Sequence, residues 1–496
     1  MKKIFVILLV FLMFASCKKL EDLNKNTKDP SSVTGESLFT GAQKRLFDQM
    51  VTSNVNDNIW RLIDQYWTET TYLDETNYNL VNRQIPDNHW ERLYINVLKN
   101  LDESKKVITS TTYVNDASPL IKQNKLAIID VMAVYAWSVL VETFGDIPYT
   151  EALDIDNVLP VYDSGKDVYE KLIVRLNTDI STLNPTWGSF DMADNMYQGD
   201  VQSWIKFANS LRLRMGMVLA DADPALSKTT VEASAADLSL LIQSNQENAR
   251  IIYLSSQPNT NPMYEDQVAS GRHDFVAANT IVDTMNNLND PRRPFYFTQV
   301  DTSSIDTIVA MAYVGGHYGH SSNYYTHSHA PAKMMLPTFE GLIFDYAEVE
   351  FLLAEAIERG YTVSGGGTAA SHYNNAVTAS IEYWGGTALD ATTYLAQPNI
   401  AYATAPGTYK QKIGLQQWIA YYNRGFEGWT AQRRLDWPVL VPGSNALSDY
   451  PVRFTYPIEE QTLNGTNYSN ASSAINLTSI NPHGDDVRTN LFWDRY

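Results

Sequence analysis

The chain has almost no cysteine and comparatively little positive charge. Cys17 is the only cysteine among 496 residues, so no intramolecular disulfide can form and a large apolar core must stabilise the fold. Lysines and arginines number 37 against 56 aspartates and glutamates, which gives a formal net charge of −19. Because nucleic-acid binding requires a basic surface, this balance argues against nucleic acid as a partner.

Familiar catalytic motifs are missing as well. The chain contains no Gly-x-Ser-x-Gly elbow and no His-Glu-x-x-His pair, and it has no second cysteine that could act as a nucleophile. Carboxylates are so numerous that some pair of them will lie at the separation that a glycosidase needs. Their abundance is therefore no evidence for glycosidase activity. We therefore predict a non-catalytic protein that requires no cofactor.

The N-terminal apolar run is too short to cross a membrane. It extends from Ile4 to Phe14, about eleven residues, whereas a spanning helix needs about 20. Two lysines precede the run and Ala-Ser follows it, which is the pattern of a signal peptide and its cleavage site. Cys17 comes directly after that site, where a lipoprotein signal needs a cysteine to receive a diacylglyceryl group. We predict a signal peptide over residues 1–16 and lipidation of Cys17; an ordinary secretory signal with a chance cysteine is the alternative.

The rest of the chain is dominated by helical patterns. Residues 17–34 are polar and aperiodic, and we interpret them as a tether between the lipid and the fold. Apolar spacing and capping residues predict a series of helices. These cover residues 37–67, 89–108, 120–144, 164–180, 201–219, 231–243, 277–288, 345–359, 368–384 and 409–422.

Two regions interrupt this pattern. Residues from about 250 to 340 are rich in Gly, Asn, Ser, Tyr and His, and they predict an irregular insert. The last forty or so residues, rich in Thr, Asn and Ser, predict loop. We expect a mainly α fold in which residues 35–496 form one domain. Its helix pairs would build a tetratricopeptide-type scaffold with the irregular insert packed on it, although no clean repeat of about 34 residues is visible.

Aromatic residues are unusually common, with 30 tyrosines and 11 tryptophans. Tyr and Trp in polar loops offer a flat apolar face and a hydrogen-bonding tip, which suits sugar rings and peptides. Trp67, Tyr72 and Tyr78 follow a predicted helix and lead into a polar loop, so we name them as candidate ligand-stacking residues. The alternative is that these aromatics pack beneath the loop.

A second candidate region is rich in histidine. Four of the eight histidines fall within thirteen residues, at His317, His320, His327 and His329. Such spacing could hold zinc, but no ligating carboxylate is nearby and the Gly and Ser spacing indicates a mobile loop. We predict a loop without metal that faces a ligand or a partner, and the alternative is an ordinary packed loop. The candidate binding residues in it are His317, Tyr318, Tyr324 and Tyr325.

Five segments of the chain carry a family resemblance when they are taken in order. The segments are Phe144–Ala152, Tyr197–Leu211, Phe351–Ala356, Gly425–Arg434 and Pro451–Glu460. Each segment alone is a weak signal, but their order and spacing extend over nearly the whole mature chain. Together they resemble the SusD/RagB family of surface nutrient-binding lipoproteins, specifically its SusD-like branch.

These segments carry residues with expected structural roles. Gly145 should end the long apolar helix, and Asp200 should cap the helix that follows it. Ser164 is expected to begin a capping box, and Asn209 and Arg214 should bond neighbouring loops. A further expectation is an internal ion-pair cluster of Glu427 with Arg433 and Arg434, with Trp429 packed beside it. We assign none of these residues to a ligand.

The resemblance implies a lipoprotein on the outer face of an outer membrane, paired with a TonB-dependent transporter of the SusC type. In such pairs the lipoprotein covers the transporter barrel and captures nutrients, usually glycans. Glu21 and Asp22, close behind Cys17, resemble the surface-export signal of such lipoproteins, although they also fit a solvated tether.

Two other interpretations stay open from the sequence. One is a helical-repeat adaptor that binds another protein, and the other is a surface glycoside hydrolase. The sequence does not distinguish starch, fructan, host glycan, plant hemicellulose or a peptide as the ligand.

Overall fold

The computed structural model describes residues 33–112, 115, 117–302 and 311–495. Cys17, the predicted signal peptide and nearly all of the predicted tether lie outside these residues. Within the described part of the chain there are seventeen α-helices and three two-stranded antiparallel sheets. The prediction of a mainly α fold is therefore confirmed.

Most helices lie on either side of the irregular region, and two short ones, Asn279–Asn287 and Arg293–Tyr296, lie inside it. In the N-terminal stretch the helices are α1 (Gly35–Val51), α2 (Trp60–Ile63), α3 (Ile85–Glu91), α4 (Lys99–Ser110), α5 (Ser118–Phe144), α6 (Gly165–Thr182), α7 (Val201–Val218) and α8 (Pro224–Ser234). A π-helical segment, Arg92–Leu98, joins α3 to α4. The remaining helices are α9 (Asn279–Asn287), α10 (Arg293–Tyr296), α11 (Tyr346–Glu358), α12 (Ala369–Trp384), α13 (Ala388–Leu395), α14 (Tyr409–Ala420), α15 (Gly425–Leu435), α16 (Ile458–Leu463) and α17 (Gly465–Thr478).

Pairs of these helices pack side by side and form the scaffold. The most extensive contacts join α1 with α4, α5 with α6, α7 with α8, and α11 with α12. Each helix has an apolar face that it can bury only against a neighbour, so pairing and stacking produce a continuous core. This is the tetratricopeptide-type arrangement that the sequence predicted.

Helix α5 is the longest described helix, and most of it is buried. Its length and composition would suit a membrane span, but 89% of its most apolar window is buried inside the protein. The helix ends at Gly145, as predicted, where the backbone adopts a φ of +90°. An added Cβ there would lie 2.8 Å from Leu491 Cδ2, so both the backbone and the packing require glycine.

The strands are short and lie in or beside the irregular region. They are β1 (Trp67–Glu69), β2 (Ala249–Ile251), β3 (Phe275–Ala277), β4 (Val300–Asp301), β5 (Met311–Ala312) and β6 (Gly341–Phe344). Strand β1 pairs with β3, β2 with β6, and β4 with β5. The first two pairings attach the irregular region to the helical scaffold.

Some predicted helix boundaries were wrong. The helix expected over residues 37–67 stops at Val51. Its last carbonyl groups accept hydrogen bonds from side chains instead of from a further helical turn. Asn58 donates to the carbonyls of Gln49 and Met50, and Arg61 donates to that of Val51. The helix expected over residues 231–243 is instead α8, which Asp223 caps.

Two further predictions of local structure need correction. The C-terminal forty residues contain α17, which buries Ala471 and Ile475, although loop was expected. Ser164 makes no capping bond; Asp146 Oδ1 instead accepts from the Gly165 amide at 2.7 Å. Asp200 does cap α7, and it accepts from the amides of Gln202 and Ser203.

The buried charges pair differently from the expectation. Glu427 accepts a hydrogen bond from the Tyr135 hydroxyl at 2.9 Å and lies 3.8 Å from Arg214, not beside Arg433. Arg433 stacks on Trp429 and donates to backbone carbonyls, among them Glu142 O at 2.9 Å.

Arg434 forms its ion pair with Glu355. Asn209 donates to the carbonyls of Ser234 and Leu240, as expected, whereas Arg214 binds mainly Glu348 of α11. The buried polar groups therefore join helices that are distant in sequence.

Candidate ligand-binding groove

Two adjoining cavities open where the irregular region meets β1. One is polar and measures about 340 Å³, the other is apolar and measures about 190 Å³, and they share Gln267, Arg272 and Phe275. We call the two together the groove. The polar compartment is also lined by Asn54, Asn56, Glu69, Tyr72, Arg83, Asp266 and Asp274, and the apolar one by Trp67, Val268, His273, Val276, Tyr324, His329 and Met335.

The pairing of β1 with β3 creates this groove. Trp67 lies opposite Ala277 and Glu69 opposite Phe275, and the Thr70 amide continues the ladder to Asp274 O at 2.8 Å. Residues 67–70 are thereby held against residues 274–277. Side chains of the two strands can then line one common cavity.

An aromatic stack forms one wall of the apolar compartment. The Tyr324 ring lies between His273, with centroids 4.2 Å apart, and His329, with centroids 4.1 Å apart. Burial, and to a smaller degree the nearby His273, lowers the pKa of His329, so a neutral imidazole is favoured. Because both faces of Tyr324 are covered, it can offer a ligand its edge and hydroxyl but not its face.

Two tyrosines at the groove have largely exposed side chains. The Tyr325 side chain is 77% exposed, and its ring centroid lies 6.0 Å from that of His273. Tyr72 is 60% exposed and lines the polar compartment. An exposed aromatic face next to hydrogen-bonding side chains is the combination that sugar rings require.

A buried carboxyl pair lies beneath the polar compartment. Burial, followed by the adjacent Glu75 carboxylate, raises the pKa of Glu69 to about 9, so Glu69 is protonated at neutral pH. The Thr76 amide and hydroxyl donate to Glu69 Oε2 at 3.0 and 2.7 Å, and Arg83 forms an ion pair with Glu75. The carboxyl pair therefore carries little net charge, because Glu69 is neutral and Arg83 balances Glu75.

Three of the predicted site residues are core residues. Trp67 is 3% exposed, stacks on Phe275 and donates from Nε1 to the Tyr422 hydroxyl at 3.0 Å, so only its edge reaches the groove. Tyr78 and Tyr318 are buried with their hydroxyl oxygens 3.4 Å apart. These positions correct the prediction that the three rings stack on a ligand, because their faces pack inside the protein.

The histidine-rich segment does not come together as one cluster. His317 is exposed and contacts His320, with ring centroids 4.4 Å apart, but it does not line the groove. His327 Nδ1 lies 2.9 Å from Asn323 O, and His329 belongs to the Tyr324 stack. Within the described ranges no three His, Cys, Asp or Glu side chains are grouped so that they could hold a metal ion.

Several groove residues were not predicted from the sequence. Gln267, Arg272, Asp274 and Phe275 line the groove, yet none of them stands in an aromatic or histidine-rich run. The only signal was their place in the irregular insert. Their role follows from the β1–β3 pairing, which joins Thr70 to His273 across 203 residues of sequence.

The fold is a helical-repeat scaffold, and the groove is built from the loops and the β1–β3 strand pair attached to it. Residues 27–457 match the SusD-like family model that is described as starch-binding and associating with the outer membrane. The chain therefore belongs to the SusD-like family, as the five sequence segments indicated.

Solved structures of this family are similar over almost the whole chain. A chitin-binding protein is 25% identical with a TM-score of 0.79, and the alignment covers 93% of this chain and 100% of that one. A SusD homolog from Bacteroides uniformis is 25% identical with a TM-score of 0.76, covering 92% and 99%. A chitin-binding SusD homolog from Flavobacterium johnsoniae is 23% identical with a TM-score of 0.75, covering 92% and 98%. A search of curated protein sequences gives no match.

Proposed function

We propose that the protein captures a neutral glycan in the groove and delivers it, without catalysis, to a SusC-like TonB-dependent transporter. The observation that carries this proposal is the exposed ring of Tyr72, which lines the polar compartment together with amide, carboxylate and guanidinium side chains. A second exposed ring, Tyr325, lies next to His273 of the apolar compartment. Aromatic faces contact the apolar faces of sugar rings, and the polar side chains hydrogen-bond their hydroxyls.

The charge of the groove disfavours an anionic ligand. Arg272 is ion-paired with Asp274, Arg83 is ion-paired with Glu75, and Glu69 is protonated. Two more carboxylates, Glu265 and Asp266, line the polar compartment and accept hydrogen bonds from neutral groups, so a polyanion meets no attractive field there. The description of the family as starch-binding and the chitin-binding relatives make α-glucan and chitin oligosaccharides the first probes.

The proposed location rests on the N-terminus and on the family. Cys17 would carry the lipid that anchors the protein in the outer membrane, with the groove facing the cell exterior. The family description, association with the outer membrane, supports this location. A transporter partner would carry the captured ligand across the outer membrane.

Binding of malto- and chito-oligosaccharides to the full chain in detergent, measured by calorimetry, tests the proposal. We expect saturable binding of one series, about tenfold weaker in Tyr72→Ala and Tyr325→Ala, because each loses a stacking face of about 1 kcal/mol or more. Tyr72→Phe and Tyr325→Phe keep the ring and should bind almost as well as the parent. Absence of binding to any glycan, or binding unchanged in both alanine variants, would overturn the proposal.

Co-purification tests the transporter step separately. The chain expressed with its own Cys17 should co-purify from outer membranes with a TonB-dependent transporter, and Cys17→Ser should lose both the lipid and the membrane location. Recovery of the lipidated chain without any transporter would contradict the delivery role, even if glycan binding is observed.

A further inference from the structure

A second and larger concavity lies next to the groove. This cleft measures about 720 Å³, within the usual range for ligand sites, and it exceeds both groove compartments. Its walls come from α12, from the 3₁₀ turn Asn245–Glu247, from β2 and from residues 333–340. Nothing in the proposed groove site uses it.

Cleft and groove are separated by a single thin wall. Met335 lines the apolar compartment of the groove, and the next residue, Leu336, lines the cleft. Consecutive backbone turns hold this wall, in which the Met335 amide donates to Ala332 O at 3.1 Å. Leu336 is 49% exposed, so an apolar side chain faces the cleft beside the wall and could contact the face of a sugar ring.

The cleft has the chemistry of a site for a neutral, hydroxyl-rich ligand. Four carboxamide side chains line it, at Gln243, Asn245, Gln246 and Asn375. A carboxamide both donates and accepts hydrogen bonds, as a sugar hydroxyl does. The Arg250 guanidinium is neutralised by Glu340 at 2.8 Å, and the Tyr383 hydroxyl donates to the same carboxylate.

One buried acceptor at the cleft has no partner in the protein. Asn245 donates from Nδ2 to Ala379 O at 2.9 Å, which fixes the amide, while its Oδ1 is buried and accepts no hydrogen bond. The bond to Ala379 holds the Asn245 carboxamide in one position at the edge of the cleft.

We propose that the cleft is a second subsite for the same glycan, whose chain crosses the wall at Met335 and Leu336. This inference rests on the proposed function and narrows it to long oligosaccharides or polymers. A glycan bound in the groove holds its next sugar units beside the cleft, where their effective concentration is high. Affinity then rises with chain length without a second independent binding event.

A bulky substitution inside the cleft tests this inference with a matched control. Thr378 lines the cleft from α12, so Thr378→Trp should fill it, whereas the exposed Asn374 on the same helix does not line the cleft. The probes are malto- and chito-oligosaccharides from the disaccharide upward, measured by calorimetry on the full chain. We expect Thr378→Trp to bind the longest oligosaccharides about tenfold more weakly and the disaccharide unchanged, and Asn374→Trp to behave as the parent.

The introduced tryptophan could itself contact the ligand, so a second variant removes side chains from the cleft and adds none. The double change Gln246→Ala with Asn375→Ala removes two exposed carboxamides from the cleft and should produce the same length-dependent loss. If both cleft variants bind every oligosaccharide as tightly as the parent does, while Tyr72→Ala still binds about tenfold more weakly, the subsite alone would be overturned. Absence of binding to every oligosaccharide would overturn the subsite together with the proposed function.

Discussion

Glu348 is the residue at which the buried ion pairs converge. Arg214 donates to it at 2.9 Å and Arg424 at 2.6 Å, and Arg424 also binds Asp345 at 2.8 Å. Burial alone would raise the pKa of Glu348, but the charges of the two arginines lower it below its ordinary value. These side chains link α7, α11 and the start of α15, so they fix how separate helix pairs meet.

Removal of an arginine from this buried network should lower the free energy of unfolding far more than breaking an ion pair at the surface does. Arg424→Met leaves Asp345 without its cation, and we expect the free energy of unfolding to fall by about 3–5 kcal/mol. Lys106→Met, which breaks an exposed pair with Asp102, should change it by less than about 1 kcal/mol. Urea denaturation of both variants measures the difference, and similar losses would show that the buried network is not specially stabilising.

Glu69 should make stability depend on pH. Its pKa is about 9 in the folded chain and about 4.3 in an unfolded one, so the folded state binds more protons between these values. The contribution of Glu69 to the free energy of unfolding is therefore fully present below about pH 4.3, and it is lost as the pH rises through about 9.

Glu69→Gln tests this titration, because glutamine imitates the protonated acid and can still accept from Thr76. The variant should match the parent in acid and should become the more stable of the two as the pH rises. Urea midpoints across a pH series measure this effect. Parallel pH profiles for the parent and the variant would contradict the raised pKa.

At the scale of the element, Gly145 decides where α5 ends and how the chain turns beneath it. Its φ of +90° is disfavoured for any L side chain, and Leu491 and Ile475 surround the position where a Cβ would lie. We expect Gly145→Ala to lower the free energy of unfolding by at least about 1–3 kcal/mol.

Gly465, the first residue of α17, is the matched control for that substitution. It has open space around the position of an added Cβ, so Gly465→Ala should be neutral or stabilising by up to about 1 kcal/mol. Thermal and urea unfolding of the two alanine variants separate backbone strain from the general effect of replacing a glycine. Equal stability of the two variants would exclude strain at the end of α5.

At the scale of the whole molecule, charge restricts the range of ligands. The net charge of −19 repels polyanions, and the groove arginines Arg83 and Arg272 are already paired with carboxylates. We expect no measurable binding of heparin, and we expect affinity for a neutral glycan to change less than about twofold between low and high salt. Calorimetry at two ionic strengths checks both. Measurable binding of heparin, or a steep fall of affinity for the neutral glycan with salt, would contradict this expectation.

The sequence predicted the features that depend on local pattern. The apolar residues of α5, the cap at Asp200 and the glycine at position 145 act over a few residues, so their meaning could be inferred from neighbours in the chain. The same holds for the two exposed tyrosines, Tyr72 and Tyr325, which stand in polar loops where binding residues are common.

The tertiary structure decided which of these residues can reach a ligand. Packing against distant segments buries three aromatic residues, Trp67, Tyr78 and Tyr318. Their neighbours in the sequence are as polar as those of the exposed tyrosines, so the sequence alone does not separate the two groups. Arg272 and Phe275 enter the groove because β3 pairs with β1, a contact that no local pattern encodes. By itself, then, the sequence determined the family and the helical scaffold. The groove itself required the folded chain, because long-range strand pairing and burial select its residues from many chemically equivalent candidates.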